Sequence, residues 1–183
     1  MARTGHVNKM ARRGEASGHA SRYVRHMQSR YVRGLTVRSL QDGDTETVSA
    51  LFARLGERSR ERRFCGAKPR LSELELAKLA RVDRDHHVLV GYMDDDAEPV
   101  GIARLVRTGS TAEIAFAVAD EYQSHGVGSI LASELAADAR AAGITHLMAT
   151  VCGDNPRILA LLQRLGSLQT RWRGRERELV VGL

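Results

Sequence analysis

The sequence predicts one α/β domain, in which helices pack on a sheet whose strands are mostly antiparallel. Three observations lead to this fold class: strand-like and helix-like apolar spacings alternate along the chain, short polar turns join neighbouring strands, and a glycine-containing loop separates a strand from a helix. With 183 residues, the chain has the usual length of a single domain. A body of about 150 residues can bury roughly 70% of its unfolded surface, so one real core is expected.

The first third of the chain predicts one strand followed by two helices. Apolar residues in 35–40 indicate the strand, and the Asp-Gly-Asp sequence at 42–44 supplies a turn and a helix cap. Apolar residues repeat at helical spacing in 48–55 and again in 71–82. The highly charged stretch 57–63 lies between these two predicted helices.

The middle of the chain predicts three consecutive strands. Segments 87–93 and 99–106 read as a hairpin joined by three aspartates, and a Gly-Ser turn leads into a third strand at 111–119. In that third strand Glu113 shares one face with three alanines, while the opposite face carries bulkier apolar side chains. One face of the strand is therefore bulky and the other is nearly bare.

The last third predicts two helices, a strand between them and a closing hairpin. A helix begins at Gly126 and stops near Gly143, and a strand follows at 144–151. Asn155 can cap the next helix, and Pro156 suits the first position of that helix. The remaining residues, 168–183, predict a hairpin that completes the sheet.

Positive charge is concentrated at the beginning of the chain. Residues 1–33 contain eight Lys or Arg and one acidic residue, whereas residues 34–183 carry 20 basic and 21 acidic side chains. We expect residues 1–33 to form a basic, disordered arm and residues 34–183 to form the folded domain. Contact of the arm with nucleic acid or an acidic partner is the alternative.

Composition and cysteine content argue against a secreted or membrane protein. The polar start of the chain does not resemble a signal peptide, and charges interrupt every hydrophobic stretch. The two cysteines, Cys65 and Cys152, lie far apart in the sequence. We therefore expect no disulfide framework, a reducing compartment and a cytoplasmic location.

The loop between the third of these strands and the following helix is the best candidate for a functional site. Gly126 and Gly128 let a ligand approach the start of the helix, where unpaired N–H groups and the helix dipole attract anions. Two glycines alone indicate a tight turn more often than a phosphate site. The position of the loop between a strand and a helix favours the phosphate site.

This loop and a later segment resemble the Gcn5-related N-acetyltransferase family. The family's pyrophosphate loop, Gln/Arg-x-x-Gly-x-Gly/Ala, matches residues 123–128, and its second cofactor segment matches residues 155–166. The resemblance extends over residues 35–183. Within the family, residues 58–64 and 82–85, with Ala112-Glu113, resemble bacterial protein lysine acetyltransferases.

The resemblance implies a three-layer sandwich whose mixed, mostly antiparallel sheet splays between strands 4 and 5. It also implies that acetyl-CoA is the acyl donor and lies in the gap. By this resemblance, the residues in contact with pantetheine are Phe116, Ala117, Val118 and Asn155, and those at the pyrophosphate are Gln123, Ser124, His125, Gly126, Val127, Gly128 and Ser129. A bulge in the fourth strand would expose the backbone groups that bind pantetheine. Asn155 could equally be only a helix cap.

Glu113 is the candidate general base. The lysine-acetylating branch has its catalytic Glu at this position, and a carboxylate near the thioester could take the proton of the attacking amine. A solvated or ion-paired side chain is the alternative. The family's frequent tyrosine acid, four residues before Gly166, is replaced here by Leu162.

The sequence therefore predicts an acyl-CoA-dependent N-acetyltransferase that acts on a primary amine, which we expect to be a protein lysine. A small-molecule amine acceptor and a non-catalytic acyl-CoA sensor are the alternatives. No spaced set of ligands supports a metal site, so no metal is expected.

Overall fold

A computed structural model of the chain describes residues 32–183, which form one seven-stranded sheet with helices on both faces. The strands are β1 (Leu35–Ser39), β2 (His86–Met93), β3 (Pro99–Thr108), β4 (Thr111–Val118), β5 (His146–Cys152), β6 (Ser167–Arg173) and β7 (Glu176–Gly182). The helices are α1 (Thr45–Ala53), α2 (Glu57–Phe64), α3 (Glu73–Leu79), α4 (Val127–Ala141) and α5 (Pro156–Gln163). Nearly all of the predicted basic arm lies outside the described residues.

The strands are arranged in the order β1-β2-β3-β4-β5-β7-β6. Every neighbouring pair is antiparallel except β4 and β5, which run parallel. Helix α4 provides the long crossover that a parallel pair needs. The predicted mixed, mostly antiparallel sheet is confirmed.

Strands β4 and β5 pair over only three residues each. Their register runs from Thr111 opposite His146 to Glu113 opposite Met148 and then stops, although both strands continue. The sheet therefore opens into a V between its two halves. The edge of β4 beyond Glu113 is left without a neighbouring strand.

The two faces of the sheet bury separate apolar clusters. The larger cluster lies under α4 and α5 and includes the fully buried Leu131, Leu135 and Leu162. The smaller one lies under α1 and α3 and includes Val48 and Val88. These two clusters produce the three-layer arrangement that the resemblance implied.

Three helices follow β1, so the prediction of two was wrong. The charged stretch forms a helix of its own, α2, which starts after Gly56 and ends at Cys65 in the left-handed conformation. Its sequence, ERSRERRF, has no apolar stripe and none of its residues is buried. The search for apolar periodicity could not detect such a helix.

The two cysteines form a disulfide, so the expectation that they stay unbridged was also wrong. Cys65 and Cys152 are 87 residues apart in sequence, yet their Cα atoms lie 5.4 Å apart. The fold brings the end of α2 beside the end of β5, which sequence separation alone does not reveal. No helix within residues 32–183 is both long and apolar enough to span a bilayer.

Gly166 marks a close approach between the end of α5 and the last strand. A Cβ atom at this position would overlap the backbone carbonyl oxygen of Gly182 and crowd Val181. The obstacle is backbone rather than a flexible side chain, so the strands would have to move apart.

We predict that Gly166→Ala destabilises the domain by about 2 kcal/mol or more, because overpacking a rigid site typically costs 1–3 kcal/mol. Denaturant unfolding measures the change. Gly66→Ala is the matched control, since a Cβ at Gly66 meets no atom within 4 Å. Equal stability of the two variants would show that the contact between α5 and β7 is not tight.

Candidate functional site

The V between β4 and β5 opens into a cleft of about 620 Å³. Its walls come from β4, β5, α2 and α5, and its floor comes from the loop that precedes α4. The lining residues are Leu55, Ser59, Arg62, Arg63, Ile114, Ala115, Phe116, Ala117, Val118, Tyr122, Gln123, Ser124, His125, Gly126, Gly128, Ser129, Ala149, Thr150, Val151, Asn155, Arg157, Ile158, Ala160, Leu161 and Arg164. The cleft has the size of a small-molecule site.

The open edge of β4 presents backbone hydrogen-bonding groups to this cleft. Ala119 donates its N–H to the Val100 carbonyl of β3, and successive residues of a strand point their N–H groups to opposite sides. Phe116 and Val118 therefore direct their backbone groups toward the cleft. Ala117 directs its backbone toward β3 and lines the cleft with its methyl group.

The predicted bulge in β4 is absent. The β3–β4 register runs without interruption from Gly101 opposite Val118 to Thr108 opposite Thr111, whereas the register shift in this part of the sheet lies between β2 and β3 at Gly91 and Tyr92. Divergence from β5 exposes the β4 edge without any distortion of β4 itself.

The loop before α4 presents the helix N-terminus to the cleft. Gly126 has a φ of +94° and caps the helix, and Ser124 also has a positive φ of +66°. The first helical N–H groups with a partner are those of Ser129 and Ile130, which both donate to the Gly126 carbonyl. The preceding amides are left for an anion, as expected at a helix start.

The side chain of Gln123 ties this loop to its surroundings. Its amide nitrogen lies within hydrogen-bonding distance of three acceptors, Ser59 Oγ on α2 at 3.0 Å, the Val118 carbonyl at 3.1 Å and Asp120 Oδ1 at 3.0 Å, which share its two hydrogens. Its amide oxygen accepts from Arg157 of α5 at 3.4 Å. One side chain thus connects both walls of the cleft with its floor.

Arg54 holds the same loop from the other side. Its guanidinium donates to Asp96 at 2.6 Å and also pairs with Glu121, while the Tyr122 hydroxyl donates to Asp96 at 2.9 Å. The hydrogen bond from Arg54, with smaller contributions from other donors, lowers the pKa of Asp96 to about 2. The carboxylate therefore stays ionised, and the cluster stays intact, throughout the neutral range.

The charge of the cleft is positive. Among residues 32–183, four arginines line it, Arg62 and Arg63 on α2, Arg157 on α5 and Arg164 directly after α5. No Asp or Glu of this part of the chain is among its lining residues. Desolvation is the largest of the effects that lower the pKa of Arg63. An arginine nevertheless stays protonated at neutral pH. Such a site favours a polyanionic ligand.

Glu113 lies where the V begins. It is the last β4 residue paired with β5, and the next residue, Ile114, is the first of β4 that lines the cleft. Its side chain is exposed, and within residues 32–183 its carboxylate forms neither a hydrogen bond nor an ion pair. The positive charges of Arg63 and Arg104 act on it from the same face of the sheet.

Helix α5 supplies the remaining predicted site residue and explains one departure from the family pattern. Asn155 caps the helix by accepting from the Ile158 N–H at 3.4 Å, and it also lines the cleft, so capping and binding are compatible. Leu162 is completely buried in the core. A tyrosine acid is thus replaced by a packing residue.

The predicted cofactor-binding residues line the cleft except Val127, and Glu113 lies just outside the lining. The expected backbone hydrogen bonds of Ala117 to pantetheine were wrong, because that backbone faces β3. The side chain of Val127 is fully buried in the core, so only its backbone can take part. Sequence reasoning missed the arginines on α2 and α5, the link from Gln123 to Ser59 and the Arg54 cluster. The arginines were visible in the sequence, but their convergence depends on the packing of two separate helices.

Comparison with known proteins identifies the class of protein. The profile of the acetyltransferase (GNAT) family matches residues 53–167, which span α2 to α5 together with the whole cleft. The chain belongs to this family, whose members use acetyl-CoA or CoA.

Among curated proteins, the acetyltransferase Pat of Mycolicibacterium smegmatis is 33% identical over 140 residues, which are 74% of this chain and 41% of that protein. The chain thus spans less than half the length of this relative. Among solved structures, the GNAT domain of S. lividans PAT has a TM-score of 0.72 and 26% identity, with 80% of this chain and 89% of that domain covered.

More distant structures share the fold. The spermidine N-acetyltransferase of Vibrio cholerae, solved in complex with CoA and spermine, has a TM-score of 0.63 and 18% identity, with 81% of this chain and 95% of that one covered. At this identity the likeness supports the architecture alone.

We predict that Gly128→Val weakens acetyl-CoA binding by tenfold or more while the domain stays folded. A Cβ at Gly128 would meet only Val118, at an ordinary contact distance of 3.7 Å, so the protein can accept the side chain. The added methyl groups would occupy the space in which a pyrophosphate reaches the first amides of α4. About 1.4 kcal/mol of lost binding corresponds to the tenfold change.

Isothermal titration calorimetry measures this affinity. Gly66→Val is the matched control, because Gly66 lies outside the cleft and a Cβ there meets no atom within 4 Å. If a folded Gly128→Val protein bound acetyl-CoA as tightly as the wild type, the pyrophosphate would have to bind elsewhere.

Proposed function

We propose that the chain transfers an acetyl group from acetyl-CoA to a primary amine, and that the amine is the side chain of a protein lysine. The observation that carries the proposal is the convergence in one cleft of an open β4 edge and the N-terminus of α4. An extended amide chain fits the first feature, and a pyrophosphate fits the second.

The phosphates would bind where positive charge and unpaired amides meet. The amides of the loop 124–129 and the dipole of α4 would hold the pyrophosphate. Arg157 and Arg164, at the α5 wall, would neutralise further phosphate charge, and no carboxylate of residues 32–183 lines the cleft to repel it. Gln123 would keep the loop in place through its links to both walls.

The pantetheine arm would lie along β4 and deliver the thioester toward the closed end of the V. Backbone groups of Phe116 and Val118 would pair with its amides, as a neighbouring strand would. An N–H group of this edge would also polarise the thioester carbonyl as it gains negative charge. Asn155 would contact the arm from the opposite wall while it caps α5.

Departure of the thiolate needs no tyrosine here. A thiol has a pKa of about 8.5, so a thiolate leaves with modest assistance at neutral pH. Leu162, which is buried where the family often has the tyrosine, has no group that could protonate the departing thiolate.

Glu113 would act as the general base. A lysine amine has a pKa of about 10.4, so its neutral form at pH 7 costs about 4.6 kcal/mol. A carboxylate at the closed end of the V can accept this proton directly or through water. Its lack of an ion pair within the described domain leaves it free to do so.

The surface around Glu113 supports a macromolecular acceptor. Met148, its partner on β5, is 43% exposed, so no helix of residues 32–183 covers this face of the sheet there. A lysine on a protein surface could reach the carboxylate there without entering an enclosed pocket. The similarity to the acetyltransferase Pat and to the GNAT domain of PAT supports the same acceptor class.

An acetylation assay against a panel of acceptors tests the proposal. Acetyl-CoA consumption is measured with folded proteins, lysine peptides and small amines, and the product is located by mass spectrometry. We expect acetyl-lysine on proteins or peptides. Turnover confined to small amines would overturn the acceptor class, and binding of acetyl-CoA with no turnover on any amine would indicate a sensor.

We predict that Glu113→Gln lowers turnover at neutral pH by about 10²- to 10⁴-fold, the usual contribution of a general base. The substitution preserves size and hydrogen bonding but removes the basic carboxylate. The deficit should shrink as pH rises, because more of the amine is already neutral. Steady-state rates between pH 6.5 and 9.5 measure both effects.

Glu98→Gln is the control for the loss of one negative charge, since Glu98 is exposed in the β2–β3 loop outside the cleft. Acetyl-CoA affinity should stay near the wild-type value in both variants. A Glu113→Gln enzyme with the wild-type rate and pH profile would assign proton removal to another group.

A further inference from the structure

The disulfide joins α2 and β5, which form opposite walls of the cleft. Cys65 caps α2 two residues after Arg63, which lines the cleft together with Arg62. Cys152 ends β5, directly after Thr150 and Val151, which line it from the other side. The bond therefore bridges the mouth of the cleft rather than a distant part of the surface.

Helix α2 is only eight residues long, and it is attached mainly to α1 and to the loop after itself. The Arg60 guanidinium donates to the carbonyls of Phe52, Ala53 and Pro69 at 3.2, 3.4 and 3.1 Å. The Arg60 guanidinium stacks on the Phe52 ring at 4.3 Å, Phe64 meets the same ring edge-on at 5.9 Å, and Ser59 accepts from Gln123. These contacts hold α2 to α1 and to neighbouring loops, whereas the disulfide is the covalent link that joins its C-terminal end to β5.

We propose that Cys65 and Cys152 form a reversible dithiol–disulfide pair that sets the position of α2 relative to β5 across the cleft. In the oxidised state α2 is held against the end of β5. In the reduced state α2 and the residues after it move away from β5, so that a bulky acceptor protein meets less steric obstruction beside Glu113.

The exposure of the two sulfur-bearing residues suits this chemistry. Cys65 is exposed and Cys152 is half-buried, so a small oxidant or reductant meets Cys65 first. The carboxylate of Glu176, opposite Cys152 on β7, lies within 4.8 Å of both sulfurs. Two thiolates and this carboxylate could also bind a soft metal ion in the reduced state, which the experiment below distinguishes.

The oxidation requires a peroxide, and hydrogen peroxide is the simplest. The Cys65 thiolate attacks one peroxide oxygen, the O–O bond breaks, and a sulfenic acid forms with release of hydroxide. The Cys152 thiolate then attacks that sulfur, the S–S bond forms, and a second hydroxide leaves. Each hydroxide becomes water with a proton from the thiols, so two thiols and one peroxide give one disulfide and two waters. A dithiol reverses the step by two thiol–disulfide exchanges.

The first test needs no acceptor. The protein is oxidised with hydrogen peroxide or reduced with dithiothreitol. It is then alkylated, and its intact mass is measured. The sequence contains two cysteines, so the reduced form should gain two alkyl groups and the oxidised form none. Amide hydrogen exchange of α2 should be about tenfold faster after reduction, while that of α4 should be unchanged.

Single variants provide the controls. Cys65→Ser and Cys152→Ser should each show the faster α2 exchange under both conditions and should not respond to dithiothreitol. Equal α2 exchange in oxidised and reduced wild type would overturn the proposal. So would a reduced protein that retains one equivalent of zinc after dialysis, because the pair would then be a metal site.

The effect on the acceptor rests on the proposed function and is measured separately. With an acceptor protein from the acetylation panel, we expect the oxidised enzyme to have a roughly tenfold higher KM, with acetyl-CoA affinity unchanged within about twofold. If the amide exchange of α2 depends on the redox state but no acceptor is acetylated, the redox switch is supported and the proposed function is rejected. Equal KM in both states, with acetylation intact, would reject the control of acceptor access.

Discussion

The divergence of β4 from β5 after Glu113 and Met148 is the constraint on which the rest of the site depends. Backbone groups inside a sheet are normally satisfied by the neighbouring strand, and an unpaired edge is a template for any extended chain. Here β4 continues for five residues beyond its last partner on β5. The proposed cofactor would supply the missing strand through the amides of pantetheine, so binding would complete the sheet.

Polar clusters hold this open arrangement from both sides. Gln123 connects the loop before α4 to α2 and α5, and Arg54 connects the same region to the β2–β3 loop through Asp96. These bonds fix the loop with its amides toward the cleft before any ligand arrives. Preorganised donors avoid the cost of ordering the loop on binding. The positive charge of the cleft therefore comes from arginines, and the hydrogen bonds of Gln123 and Arg54 hold the loop that forms its floor.

The sequence was sufficient for features that depend on local periodicity and caps. It predicted all seven strands, the helix after Gly126 and the cap at Asn155, because each has an apolar pattern or a specific end residue. It failed for α2, whose charged sequence has no apolar face, and for the pairing of Cys65 with Cys152, which depends on long-range topology. The bulge expected from the family resemblance was wrong because the open edge arises from the divergence of β5.

The central claim is that acetyl-CoA lies against the β4 edge with its pyrophosphate on the first amides of α4. Two-dimensional NMR of the amide groups during an acetyl-CoA titration tests this claim most directly. We expect the largest shift changes at residues 124–129 and at Phe116 and Val118, with little change in the β6–β7 turn at 173–175. Saturable binding that leaves the amides of 124–129 unperturbed would contradict it.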